Sequence, residues 1–70
     1  MRYREASRKL TRLGCYEVPR RSGGSHRKWF NPLSEKDAVL PDRRGRDLKI
    51  GTLRSAIRQL GIDWQEFLDA

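Results

Sequence analysis

The sequence has little of the chemistry on which disulfides and metal sites depend. Its 70 residues include one cysteine and one histidine, so an internal disulfide cannot form and a His/Cys cluster cannot bind a transition metal. No apolar run approaches the roughly 20 residues that a transmembrane helix needs, and no signal peptide opens the chain. These absences predict a cytoplasmic protein with no metal, no cofactor and no membrane partner.

Acidic residues are scarce where basic residues are dense. Residues 1–30 contain nine Lys and Arg against two acids, so the formal excess of +7 in the whole chain arises in this segment. Concentrated positive charge is typical of proteins that bind a polyanion, above all nucleic acid. A solvated basic helix, or a surface that meets an acidic protein, would have the same composition.

Apolar residues at helical spacing predict a helix near each end of the chain. The first helix should end near Leu13, because Gly14 follows it. The second should begin at Gly51 or Thr52, with Thr52 as N-cap, and should end at Gly61. The two apolar stripes are Tyr3, Ala6, Leu10 and Leu13 in the first helix, and Leu53, Ala56, Ile57 and Leu60 in the second.

A short third helix is predicted at the C-terminal end. Asp63 as N-cap and Glu66 three residues later form an acidic variant of a capping box. Ile62 and Phe67 have the spacing of a hydrophobic staple, and Trp64 is expected to pack against the core.

Three segments between the helices have the composition of short strands. They are residues 15–21, 26–31 and 37–41. Pro19 places the first strand at an edge, and Pro41 closes the third. The predicted fold is therefore a single α+β domain over residues 1–70, with two layers and helices on one face of an antiparallel sheet. The other face is left open to a ligand.

Alternation along the second strand separates its two aromatic residues. Trp29 and Phe30 are neighbours and must point to opposite faces. Phe30 shares a face with His26 and Lys28, so Trp29 is the core residue if that face is open. A bulge at 23–24 would reverse this choice.

The single histidine lies in the segment "RRSGGSHRKWF", after a glycine-rich turn and among cations. An imidazole can give or take a proton at cellular pH, and Arg and Lys can hold a phosphodiester and stabilise its developing charge. His26 could thus act on RNA, whose 2′-hydroxyl is an internal nucleophile. It would equally fit an exposed polar residue that only touches RNA. Cys15 as a nucleophile would need His26 nearby, and a small buried residue is the expected role.

Together these segments resemble the HicA family of toxins from prokaryotic toxin–antitoxin pairs. The resemblance covers about Glu5 to Leu68, and it is carried by a first helix ending in "RLG", by "GSH" at residues 24–26, and by the C-terminal "GTLRSAIRQLGI" and "EFL". It implies a fold like that of double-stranded RNA-binding domains, and a type II toxin that is a metal-independent mRNA endoribonuclease. It also implies a cognate HicB-like antitoxin that buries the active site.

The resemblance makes His26 the catalytic residue. The phosphate and the RNA backbone would then be held by Gly24, Ser25, Arg20, Arg21, Arg27 and Lys28. Many members have a further histidine after the motif or after the proline of the third strand, whereas this chain has Arg27 and Lys28, and then Asp42 and Arg43. His26 therefore has no imidazole helper.

Three alternatives remain open from the sequence. A non-catalytic module could block translation by occupying RNA, and the two C-terminal helices could bind DNA through Arg54 and Arg58. The loop from Arg43 to Arg46 could either extend the RNA footprint or be plain solvated surface.

Overall fold

The computed structural model describes residues 1–19 and 24–70. The order of elements is the predicted one, and the domain is α+β with a three-stranded antiparallel sheet. No helix in these two ranges is long and apolar enough to cross a bilayer. The elements are α1 (Tyr3–Arg12), β1 (Tyr16–Glu17), β2 (His26–Asn31), β3 (Lys36–Pro41), α2 (Ile50–Gln59) and α3 (Trp64–Asp69).

The sheet has the order β1-β2-β3, so the histidine-bearing strand is central. In the register, Trp29 lies between Glu17 and Ala38, and Phe30 lies between Tyr16 and Asp37. β1 is shorter than the predicted strand over 15–21. A further backbone bond joins the Val18 N–H to the Lys28 carbonyl, and Pro19, which follows, has no N–H to donate.

One face of the sheet packs on the helices and the other faces solvent. Trp29 is only 3% exposed, so Trp29 and not Phe30 is the core residue of β2. Cys15 is buried, as expected, and Leu13 and Trp64 are partly buried against the core. The buried cluster consists of Ala6, Leu10, Cys15, Trp29, Ala38, Leu40, Leu48, Leu53, Ala56, Ile57, Leu60, Ile62 and Phe67.

The start of α2 differs from the prediction. The helix begins at Ile50, with extended Lys49 as N-cap, and the Leu53 N–H donates to the Lys49 carbonyl. The prediction of Thr52 as N-cap is therefore wrong, because Thr52 already lies within the first turn. Leu48, two residues before the helix, is buried, so tertiary packing fixes the entry of the chain and outweighs the preference of threonine for a cap.

The start of α3 agrees with the prediction. The Asp63 carboxylate accepts a hydrogen bond from the Glu66 N–H at 3.2 Å, as an N-cap does. Ile62 and Phe67, which flank the cap, are both buried. At the end of α1, Gly14 has a φ of +91°, and the Cys15 N–H returns to the Leu10 carbonyl.

Candidate nucleic-acid interface

The solvent-facing side of the sheet carries the histidine. His26, Lys28 and Phe30 alternate along β2 and share this side, opposite the buried Trp29. His26 and Lys28 are exposed, and Phe30 is half-buried. We call this side the open face, and two of its large apolar side chains, Tyr16 and Val39, are 53% and 46% exposed. By the strand register, its members outside β2 are Tyr16 of β1 and Asp37, Val39 and Pro41 of β3.

The head of β2 is tied to the end of β3. His26 pairs with Pro41, and the N–H of Asp42 donates to the carbonyl of Ser25. This bond holds the Gly24-Ser25-His26 segment against the chain that leaves β3. The histidine thus lies on a strand whose neighbour fixes it, although the segment before it is rich in glycine.

A cleft of about 350 Å³ opens beside this junction. Gly24 and Ser25 line it together with Arg27 and Arg44, and Asp42 is its acidic member. The cleft therefore joins the motif preceding His26 to the loop after β3. Two of its five lining residues are arginines, whose guanidinium groups can bind an anion, and the Asp42 carboxylate offsets part of their charge.

Arg27 is positioned by two carboxylates. Its Nη1 lies 3.3 Å from Oε2 of Glu17, and its Nη2 lies 3.8 Å from Oδ2 of Asp42. Its Nε is buried and has no hydrogen-bond partner among the described residues. The alternation of β2 places Arg27 on the helix side, whereas Lys28 lies on the open face. Adjacent cations in the sequence thus serve two different surfaces.

A polar network connects Arg27 to α1. The Trp29 Nε1–H donates to the Tyr3 hydroxyl at 3.0 Å, and this hydroxyl donates to the Glu17 carboxylate. Burial and the hydrogen bond to Glu17 raise the pKa of Tyr3 well above its ordinary value. Tyr3 therefore remains a neutral donor, and Glu17 is held where it can bind Arg27.

Lys28 is paired more loosely. Its Nζ lies 3.4 Å from Oδ2 of Asp37, and both side chains are about half exposed. An ion pair in such a position contributes little to stability, about 0–1 kcal/mol. Lys28 can therefore exchange this carboxylate for a phosphate at small cost.

Not every sequence-predicted residue can be placed. Arg20 and Arg21 lie outside the described residues. Cys15 is buried, and desolvation raises the pKa of its thiol, which disfavours the reactive thiolate. In residues 1–19 and 24–70, no three His, Cys, Asp or Glu side chains form a group that could hold a metal ion.

The sequence did not single out three residues that the structure brings to this region. Glu17 and Asp42 hold Arg27, and Tyr16 lies beside Phe30 on the open face. Only the tertiary structure reveals these neighbours. Arg44 belongs to the loop from Arg43 to Arg46, for which the sequence predicts either an RNA contact or solvated surface, and it lines the cleft.

The fold and this region define a small basic α+β domain with an exposed histidine at the head of its central strand. The family model described as the HicA toxin of bacterial toxin–antitoxin systems matches residues 3–62. This range runs from α1 through α2, includes Gly24-Ser25-His26, and leaves out only α3 among the elements. The chain belongs to the HicA toxin family. It is thus a toxin of a toxin–antitoxin system, and an antitoxin is its partner. No curated protein and no solved structure matches the chain.

Proposed function

We propose that this toxin is a cytoplasmic endoribonuclease that cleaves mRNA, with His26 as its general acid–base residue, and that a HicB-like antitoxin inhibits it. The observation that carries the proposal is the position of His26. It is exposed at the head of β2, with Lys28 on its own face and with the two-arginine cleft beside the preceding Gly24-Ser25.

The chemistry follows from RNA itself. His26 takes the proton of the 2′-hydroxyl, and the resulting oxygen attacks the adjacent phosphorus. The bond from phosphorus to the 5′-oxygen breaks, and that oxygen takes up a proton from solvent or from Lys28. The products are a 2′,3′-cyclic phosphate and a 5′-hydroxyl, and no redox partner or metal is required by this scheme. Since one imidazole must serve alone, we expect modest rates.

The remaining site residues hold the substrate. Gly24 and Ser25 border the cleft, and we assign to the Gly24 amide and the Ser25 hydroxyl the donation of hydrogen bonds to a phosphate, as successive groups in a turn do. Arg27 and Arg44 supply positive charge from the same cleft, and Lys28 supplies it from the open face. We assign Arg20 and Arg21 to the RNA backbone on the basis of the sequence alone.

The proposal is tested with a short labelled single-stranded RNA in a chelator, without divalent metal. Wild type should cleave the all-ribose RNA. It should bind an otherwise identical 2′-deoxy strand without cleaving it, because the internal nucleophile is then absent. Binding of both strands with cleavage of neither, where a control ribonuclease cuts the all-ribose strand, would favour the alternative of an RNA-binding module that acts by occupancy.

A further inference from the structure

The aromatic residues of the open face lie in line with the proposed catalytic histidine. Tyr16 and Phe30 are directly opposite each other on β1 and β2, and their ring centroids are 5.6 Å apart at an interplanar angle of 58°. Phe30 is four residues after His26 on the same strand, a separation of about 13 Å. The Tyr16 side chain is more exposed than the Phe30 side chain. A tyrosine ring in this position is not required to fill the core.

Charge on the open face changes along β2. His26 lies at the basic end, with Lys28 next to it on the same face and with the cleft that contains Arg44 beside the preceding Gly24 and Ser25. At the other end, Asp37 lies opposite Phe30, and its carboxylate pairs only loosely with Lys28. A phosphate would be repelled by Asp37 and attracted to the cleft. The aromatic end is therefore suited to the uncharged part of a nucleotide, namely its base.

We propose that Tyr16 and Phe30 form a base-stacking platform that holds unpaired bases of single-stranded RNA next to the bond cleaved at His26. The proposal rests on the proposed function in that RNA is the ligand. Stacking on aromatic side chains requires a base that is free of its own helix. The platform thus selects single-stranded over double-stranded RNA, and it does so with little dependence on sequence.

The strand spacing supports one continuous path for the RNA. Alternate residues of β2 place the proton-transfer group, a cation and an aromatic ring in a row at intervals of about 6.6 Å. A strand of RNA that follows β2 would lay its phosphates over the basic end and its bases over Tyr16. Neither Tyr16 nor Phe30 touches the reacting atoms, so both are substrate-positioning residues.

The test measures RNA binding by the His26→Ala protein, so that the probe stays intact. Tyr16→Ile removes the ring and keeps a residue that favours strands, and Tyr16→Phe keeps the ring as the matched control. Against a fluorescent single-stranded RNA, Tyr16→Ile should weaken binding at least about fivefold, and Tyr16→Phe should change it less than about twofold. The slope of log affinity against log salt should be unchanged by Tyr16→Ile. Lys28→Gln should make this slope shallower by about 0.7, as loss of one phosphate contact does.

A second test varies the RNA instead of relying on affinity for one RNA alone. An RNA with single abasic positions, scanned along the strand, should bind the His26→Ala protein more weakly at one or two positions only. The Tyr16→Ile protein should be insensitive to removal of the base at one of them. Duplex RNA of the same sequence should bind more weakly than the single strand.

The inference is overturned if no abasic position matters, or if folded Tyr16→Ile binds single-stranded RNA as tightly as its parent. If that variant instead loses only affinity for the antitoxin, the open face is a protein interface. If the wild-type protein binds RNA through Tyr16 but does not cleave it, the stacking platform stands and only the endoribonuclease proposal is overturned.

Discussion

Arg27 and Glu17 form an ion pair between the central strand and its short neighbour, with Nη1 of Arg27 3.3 Å from Oε2 of Glu17. The same guanidinium reaches Asp42 after β3. One side chain of β2 therefore links β1 to the chain that leaves β3, at the end of the sheet where His26 lies. This role separates Arg27 from the other arginine of the cleft, Arg44, which makes no ion pair within the described parts of the chain.

The two arginines should respond differently to neutralisation. Arg27→Gln should lower the free energy of unfolding by about 1 kcal/mol, because it leaves Glu17 and Asp42 without their shared partner. Arg44→Gln should change stability by less than about 0.5 kcal/mol, yet both substitutions should weaken RNA binding. Urea unfolding and RNA titration of the same samples measure both effects. Equal stability of the two variants would contradict the linking role of Arg27.

Tyr3 should make the protein less stable at alkaline pH. Burial and the hydrogen bond to Glu17 raise the pKa of Tyr3 in the folded protein above the value of about 10 in the unfolded chain. Because the folded-state pKa is the higher one, the contribution of Tyr3 is complete below about pH 10. It is lost as the pH rises through the interval between the two values.

The free energy of unfolding should therefore fall above about pH 10, and the fall should be smaller in Tyr3→Phe. Urea unfolding on both sides of this pH measures it. Tyr16→Phe is the control, since it removes the exposed phenol of the open face. Its free energy of unfolding should fall with pH as that of wild type does. An identical alkaline fall in Tyr3→Phe and wild type would show that Tyr3 is not responsible.

Asn31 and Ser34 both donate a hydrogen bond to the Leu60 carbonyl, and replacing Asn31 should destabilise the protein more than replacing Ser34. Asn31 is buried, its Nδ2 donates to the Leu60 carbonyl at 2.8 Å, and its Oδ1 accepts from the Leu33 N–H. Ser34 donates to the same Leu60 carbonyl at 2.7 Å. Asn31→Ala should cost about 1–3 kcal/mol of unfolding free energy, and Ser34→Ala about 1 kcal/mol. Thermal and urea unfolding would reveal the reverse order if this assignment were wrong.

The protein should be more stable when position 35 holds a residue without a Cβ atom. Glu35 is the non-glycine residue with positive φ, +57°, in the described chain, and this left-handed conformation costs an L-residue about 1 kcal/mol or more. Glu35→Gly should therefore be more stable than Glu35→Ala by about 1 kcal/mol. The same pair at exposed Arg8 of α1 is the control and should show the opposite order, since glycine disfavours a helix. Measured unfolding free energies with the same order at both sites would contradict the backbone explanation.

The sequence predicted most of the architecture because local patterns determine it. The helical stripes, Gly14, and the Asp63 cap each act within a few residues, and the alternation at Trp29 and Phe30 follows from the geometry of any strand. The start of α2 was not predicted, because the burial of Leu48 fixed it from outside the helix. Local signals give no information on such tertiary contacts.

The candidate site was predicted less completely. His26, with its glycine and serine neighbours, stands out by composition. Arg27 and Lys28 looked alike in the sequence, but the pleat of β2 sends them to opposite faces, and only Glu17 and Asp42, distant in sequence, reveal what Arg27 binds. Tyr16 became a candidate through the strand register, which sequence periodicity does not supply.

The most direct test of the central claim compares wild type with His26→Ala on one labelled single-stranded RNA, with binding and cleavage measured on the same samples. His26 is exposed, so its replacement should leave the fold and the affinity for RNA nearly unchanged. We expect wild type to cleave, and we expect His26→Ala to bind equally well with its cleavage rate reduced by about 100-fold or more. Cleavage by folded His26→Ala at the wild-type rate would contradict the account, because the proton transfer would then belong to another group.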